Sequence, residues 1–385
     1  MKYVDEFRDG ALAKNLAHSI AQQAQTGRSY RLMEFCGGHT HALSRYGLLG
    51  MLPANVQMIH GPGCPVCVLP IGRVDFAIRL ALEHDVILCS YGDCLRVPAS
   101  DQMSLLKAKA LGADIRMIYS ALDALNIATS NPMRQVVFFA IGFETTTPPT
   151  ASILFQARAA RLTNFSVLCN HVLTLPAMEA ILTQPGALPL QGIVGPAHVS
   201  TVIGSQPYQS ITTRFQMPIV ISGFEPLDLL QGIHMLLRQV NEGRYEVENE
   251  FTRAVTSAGN RKAQRLVEEV FEVRDTFEWR GLGSLPASGL KIRPNLAEFD
   301  TELRYPDLVY TNVPDHKACE CGAILRGDKR PQDCKIFGTV CTPDNPIGSC
   351  MVSSEGACAA HYTYGRFSEM KPKSELPKFE LKETS

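Results

Sequence analysis

Residues 31–43 read RLMEFCGGHTHAL, and the fold turns on this stretch. RLMEF is short, apolar and β-prone. Two glycines break it, and HTHAL then opens a helical pattern. A strand that runs at once into a helix is the repeating unit of a parallel sheet with helices on its faces. Upstream, the first 27 residues carry Leu12, Leu16 and Ile20 at helical spacing. Downstream, β-prone runs recur at 56–60, 86–91 and 115–119, with helical patterns at 71–83 and 101–111 between them. Ser130-Asn131-Pro132 interrupts the chain, and the pattern restarts at 136–141, 165–170, 192–194 and 218–221. A helix expected over 149–161 has proline in its first turn, where no amide donor is lost.

The fold class expected is therefore α/β, with two parallel-sheet units of four strands each, 1–130 and 131–240. Ligands bind outside the carboxyl ends of such strands, so motifs at those ends are expected to face a shared cleft. Beyond Pro226 the character changes. Residues 227–240 and 247–272 read as two long helices, and a Gly- and Pro-rich stretch follows Trp279. The segment 241–385 is expected to form a mostly helical, loop-rich domain, with a frayed Lys/Glu/Pro-rich tail from Glu369.

Composition narrows the function. The chain has 385 residues, 45% hydrophobic and 19% charged, enough for a large core and too apolar for disorder. A net charge of −1 gives no basic field for nucleic acid or an anionic membrane. The longest apolar runs fall far short of a membrane span, and MKYVDEFRDG has no signal-peptide pattern, so a cytoplasmic location is expected. Neither a Walker sequence nor GxGxxG is present. Twelve cysteines in such a chain argue for metal or thiol chemistry over structural disulfides.

Three constellations carry that chemistry. Cys36 follows a strand and precedes a helix, where amide donors and the helix dipole favour a thiolate. His39 and His41 offer acid–base groups beside it; a tight turn around an inert cysteine is the competing reading. GPGCPVC, residues 61–67, places a C-x-x-C between strand and helix. A redox dithiol of Cys64 and Cys67 is favoured over half a zinc site, because no second C-x-x-C follows. Cys321, Cys334, Cys341 and Cys358, spaced C-x12-C-x6-C-x16-C, suit a 4Fe-4S cluster or a structural zinc. The wide spacing favours the cluster, with Cys319 and Cys350 as spare donors and Glu355 as an acidic group nearby. Cys89 and Cys169 read as core residues. Polar motifs also follow later strands: GFETT with Glu144, Asn170-His171, GPAHVS with His198, and GFEP. Singly, each of these equally suits a turn with a helix cap.

CGGHTHAL, GPGCPVCVLP, GFETT, HVS, GFEPLDLLQG, EWRGLG and MVSSEGACAA, in this order, resemble the HypD family of nickel–iron hydrogenase maturation. The resemblance runs from about Tyr3 to Tyr364. It implies two α/β domains and a third domain carrying a 4Fe-4S cluster. It implies a scaffold for an iron group with two cyanide ligands and one carbon monoxide. Cys36 would hold that iron together with an N-terminal cysteine of the chaperone HypC. Cys64 and Cys67 would be the redox dithiol, and Cys321, Cys334, Cys341 and Cys358 the cluster ligands. HypE would donate cyanide carried as a thiocyanate. His39, Glu144, His198 and Glu355 would position or protonate incoming groups. The expected state is a monomer that enters hetero-complexes. A free-standing iron–sulfur thiol–disulfide oxidoreductase and a zinc-stabilised binding module are the competing functions.

Overall fold

The computed structural model describes residues 4–184, 186 and 189–365. Tyr3 and the tail expected to fray lie outside the described residues. The architecture is α/β, built on two parallel sheets. The strands in chain order are β1 (Tyr30–Glu34), β2 (Val56–His60), β3 (Val86–Tyr91), β4 (Ile115–Ile118), β5 (Gln135–Gly142), β6 (Phe165–His171), β7 (Gly192–Pro196), β8 (Ile219–Ser222) and β9 (Val247–Asn249). One sheet has five strands in the order β2-β1-β7-β8-β9; the other has four, β4-β3-β5-β6. Every pairing in both is parallel.

This order corrects the division of strands at residue 131. β1 and β2 pair with β7 and β8, while β3 and β4 pair with β5 and β6. The Ser130-Asn131-Pro132 break is only a tight turn, with Asn131 N–H on Ala128 O and Arg134 N–H on Asn131 O, leading into the middle of the four-stranded sheet. Apolar runs mark strands but not partners. In parallel sheets every strand is buried on both faces, so all such runs look alike.

Alternating residues of the five-stranded sheet serve its two faces. Leu32, Val194 and Val220 pack with Ile20, Leu230 and Leu236 from the helices Gly10–Gln23 and Pro226–Glu242. Met33, Ile193, Ile219 and Ile221 pack on the other face with Tyr208 and Ile211.

The expected helix over 247–272 is also corrected. Val247–Asn249 is an edge strand on β8, and a helix starts only at Arg261. Asn260 caps that helix, its side chain accepting from Ala263 N–H, after Gly259 at φ +65. The helix ends at Val270 and the chain continues directly as β10 (Phe271–Val273). β11 (Thr276–Trp279) and β12 (Gly283–Pro286) form a hairpin, and β13 (Leu290–Ile292) returns to pair with β10. The C-terminal region thus contains antiparallel strands as well as short helices. Its cysteine-bearing segment shares one buried core with Trp279, Cys64 and Cys67.

Candidate functional site

Four adjacent strands of the five-stranded sheet deliver four of the motifs to one edge. CGGHTH follows β1, GPGCPVC follows β2, the His198 motif follows β7, and GFEP follows β8. The expectation that they face one another from two separate units is replaced by a single row of strand ends. This is the position where open α/β sheets place ligands.

Cys36 is buried at 7% exposure and caps the helix Gly37–Arg45. Its thiol and His198 Nδ1 share a hydrogen bond at 3.7 Å. The His198 ring stacks on Phe224 at 3.8 Å between centroids, and the His39 ring lies tilted to Phe224 at 5.0 Å. His39 Nε2–H donates to Ser222 O at 2.8 Å, which leaves its buried Nδ1 a bare acceptor without a partner among the described residues. His41, further along the helix, reaches Ser354 O at 3.3 Å.

Electrostatics reverse one sequence expectation. The amides of Gly38 and His39 do favour a Cys36 thiolate, as the helix start predicts. Burial outweighs them, and the charges of Glu355 and Glu34 act in the same direction, so the Cys36 thiol is pushed far up. Burial also lowers His198 to about 4, with His39 adding to it, although the ring keeps an exposed edge. Glu355 is itself raised by burial, then by Asp93 and Glu34. The site at rest is thus a neutral thiol beside a neutral imidazole.

Glu34 is the residue sequence reasoning missed. It is fully buried beneath Cys36. Its carboxylate accepts from Cys36 N–H at 2.9 Å, from the Thr40 hydroxyl, and from His60 Nδ1 at 2.9 Å. The available signal was a glutamate as the last residue of an otherwise apolar strand.

Cys64 and Cys67 form a disulfide with Cα atoms 5.2 Å apart, and both are buried. Gly63 lies against the backbone of Cys36: a Cβ there would collide with Cys36 N and Phe35 C, and Gly37 N–H donates to Gly63 O. On its far side the disulfide meets the C-terminal segment. Gly356 lies beside Cys67 Sγ, and the Ser349 hydroxyl donates to Cys67 O at 2.6 Å. Glu355 packs over Gly37. Cys36, the disulfide and the C-terminal cysteines are therefore consecutive neighbours.

The C-terminal thiols converge, but not quite as the expected set. Cys319 and Cys358 each lie close to the Cys321 thiol, and Cys341 lies beside Cys319 and Cys321. Cys341 accepts from Ile347 N–H at 3.4 Å, and Gly348 packs against the Cys319 and Cys321 sulfurs, where a Cβ would collide with both. Cys334 stands to one side, near Glu320 and Lys329. Cys350 is fully buried between Cys358 and the disulfide. Among the described residues no group of three or more His, Cys, Asp or Glu side chains is disposed as a metal site. Buried cysteine sulfurs are the donor type that an iron–sulfur group takes. Cys319 is as well placed within it as Cys321.

Glu144 belongs elsewhere. It sits at the end of β5 in the four-stranded sheet, where Thr174 N–H and the Thr174 hydroxyl each donate to it at 2.8 Å. Burial raises it, and Tyr208 lies near both it and Cys36. No hydrogen bond or ring contact joins Glu144 to Cys36 among the described residues. Cys89 and Cys169 are buried in the core of the four-stranded sheet, as read from sequence.

The profile of HypD, described as the "Hydrogenase formation hypA family", matches residues 11–365. The chain belongs to the HypD family. It is 64% identical over 375 residues to "Hydrogenase maturation factor HypD" of Cupriavidus necator, covering 96% of this chain and 99% of that protein. It is 64% identical over 370 residues to "Hydrogenase expression/formation protein HupD" of Azotobacter chroococcum, covering 95% and 97%. Against "Hydrogenase maturation factor HypD" of Escherichia coli the identity is 45% over 369 residues, covering 94% and 98%. Among the described residues, no helix of this HypD-family chain is long and apolar enough to cross a membrane.

Proposed function

We propose that the chain is a hydrogenase maturation factor, a scaffold on which an iron carrying cyanide and carbon monoxide is assembled before delivery. The iron is cargo, held by Cys36 and by a cysteine of a HypC-type chaperone. A HypE-type partner brings cyanide as a thiocyanate. A reducing, cytoplasmic setting suits the ten free thiols among the described residues. The observation that carries the reading is the unbroken packing of Cys36 against the Cys64–Cys67 loop, and of that disulfide against the C-terminal cysteines.

The reduced Cys64–Cys67 pair has the electrons that cyanide release needs. Cleaving the sulfur–carbon bond of a thiocyanate takes two electrons. The dithiol supplies both, giving one free thiol on the donor, one hydrogen cyanide and the Cys64–Cys67 disulfide. Returning the disulfide to the dithiol takes two electrons and two protons. A 4Fe-4S cluster held by Cys321, Cys334, Cys341 and Cys358 would supply electron transfer there when bound. His198 Nδ1 stands where the Cys36 proton must leave as the thiol takes up iron. Phe224 fixes that imidazole from behind, and Glu34 fixes the Cys36 backbone. Glu355, which packs over Gly37, is a second acid–base group beside Cys36. Burial of both disulfide sulfurs weighs against a free-standing reductase, whose diffusing disulfide substrate would have to touch one of them.

Cys64→Ala tests the proposal. Iron loading should persist while a hydrogenase in the same cells stays unprocessed; normal maturation would refute the redox role. Infrared bands of bound cyanide and carbon monoxide, present in the chaperone complex and absent with Cys36→Ala, test the scaffold itself.

A further inference from the structure

Phe224 fixes the imidazole beside Cys36, and two carboxyl groups hold the turn that carries it. Glu250, the residue after β9, accepts from Gly223 N–H at 3.1 Å. Asp228 Oδ2 accepts from Glu225 N–H at 3.2 Å. The amides on both sides of Phe224 are thus bound by carboxylates. The turn is pressed onto them: a Cβ at Gly223 would collide with Asp228 Oδ2 and with the Phe251 ring. Asp228 is fully buried. Its Oδ2 also pairs with Arg253 Nη2 at 2.5 Å, whereas its Oδ1 has no hydrogen-bond partner among the described residues. Arg253 lies over the rings of Phe7 and Phe251, at 3.9 and 4.2 Å. Phe224 itself borders an open cavity of about 540 Å³, lined also by Phe251, Asp228 and Arg253, so packing alone does not hold its ring. A bare buried carboxylate oxygen is costly, and a proton on Glu250 satisfies it. Both carboxyl groups close on Gly223, within reach of one another.

We propose that Asp228 and Glu250 are positioning residues for Cys36, an acid pair joined by one proton that fixes the turn at Gly223 and Glu225 and so keeps Phe224 stacked on His198. His198 in turn shares its hydrogen bond with the Cys36 thiol. The inference rests on the reading of Cys36 as the working thiol. With Glu250 protonated, the pair carries one negative charge, which Arg253 balances. When Glu250 ionises, two anions press on one turn beside an open cavity, and the turn loosens. Burial pushes Glu250 up to about 7 and Asp228 adds to the shift, while Gly223 N–H and Arg253 pull it down. The other charges around the pair are Glu225 bridged to Arg8, Asp5 and Glu6 ahead of Phe7, and Glu248 paired with Arg244. His39 is the remaining titratable neighbour, and its ring feels the charge of Asp228.

The test uses the full chain as wild type, Glu250→Gln, Glu250→Ala, Phe224→Ala and the double variant Glu250→Ala with Phe224→Ala. Labelling of Cys36 by iodoacetamide, resolved by mass spectrometry, is followed from about pH 6 to 9, with circular dichroism as a check of folding. Wild type should show a rise near pH 7 beyond the roughly tenfold per pH unit that thiolate formation gives. Glu250→Gln, whose amide can donate to Asp228 and accept from Gly223 N–H, should match wild type at pH 6 and lack the extra rise. Glu250→Ala should label roughly fivefold faster at pH 6, the factor of one net hydrogen bond. With Phe224→Ala already present, Glu250→Ala should change nothing further. A wild-type profile without the rise, a Glu250→Gln profile that keeps it, or an equal effect of Glu250→Ala with and without Phe224 overturns the proposal. If either alanine variant fails to fold, the Glu250→Gln profile decides alone. The reading of Cys36 fails separately, by cyanide and carbon monoxide bands that persist in the chaperone complex of Cys36→Ala.

Discussion

Replacing Glu34 with Ala probes the foundation of the site. Glu34 is fully buried and accepts three hydrogen bonds, from Cys36 N–H, the Thr40 hydroxyl and His60. His60 is partly exposed and can turn to water once the carboxylate is gone. Cys36 N–H and the Thr40 hydroxyl are buried and cannot. Each stranded donor costs about 1–3 kcal/mol, and the cavity left by the side chain adds about 1 kcal/mol. The total is about 3–7 kcal/mol, a large share of a typical stability of roughly 5–15 kcal/mol. With a urea slope of about 3 kcal/mol per molar, the midpoint should fall by about 1 M or more. Glu34→Gln should fall between the two, because its amide oxygen replaces one acceptor while its NH2 faces a donor. Urea unfolding by circular dichroism, with alkylation of Cys36 followed by mass spectrometry, checks both stability and site order. Cys36 should label faster in Glu34→Ala. A midpoint within about 0.3 M of wild type, with Cys36 labelling unchanged, would refute the claim that this carboxylate holds the cysteine in place.

The other predictions follow from the same geometry. Glu355→Gln removes the charge that, after burial, does most to raise the Cys36 thiol, so iodoacetamide should label Cys36 severalfold faster at pH 8; an equal or slower rate counts against that charge. His171 is fully buried and lowered to about 4 by desolvation, against an unfolded value of about 6.5. The unfolded chain therefore binds the extra proton between those values, and stability should fall as pH drops from 6.5 to 4. His171→Gln should lack that loss, on the order of 3 kcal/mol, in a comparison of urea midpoints across the window. Gly63→Ala drives a methyl into the Cys36 backbone, which cannot give way as a side chain could; a loss of about 1–3 kcal/mol is expected in the same assay. An unchanged Gly63→Ala midpoint would mean the two loops are not so closely packed.

Much of the fold was legible in local pattern. Eight strands read from apolar runs are present within a residue or two of their expected positions, and so are helices at Ile71–Glu83 and Pro226–Glu242. The edge strand Val247–Asn249 was not: three residues on the rim of a sheet carry too little apolar signal to separate them from a helix. Nor was Glu34 readable as a site residue. A carboxylate at the end of a strand becomes notable only when the turn beyond it folds back with two donors and the neighbouring strand adds a third. Spacing grouped Cys321, Cys334, Cys341 and Cys358, whereas folding draws Cys319 into the close group and leaves Cys334 at its margin. Two cysteines separated by one residue have equal reach, and sequence distance cannot rank them.

By itself, the sequence determined the α/β class, the motifs at strand ends and the thiol character of the chemistry, because each rests on short-range periodicity or residue type. Only the tertiary structure decided which strands are partners. It placed β7 and β8 beside β1 and thereby brought the Cys36, Cys64–Cys67, His198 and Phe224 loops to one edge of one sheet. It also decided the charge state of Cys36. The helix start, a local feature, argues for a thiolate; burial together with Glu355 and Glu34, brought in from elsewhere in the fold, keeps the proton on. Desolvation and the neighbourhood of distant charges depend on what packs around a residue, and a linear pattern carries no record of that.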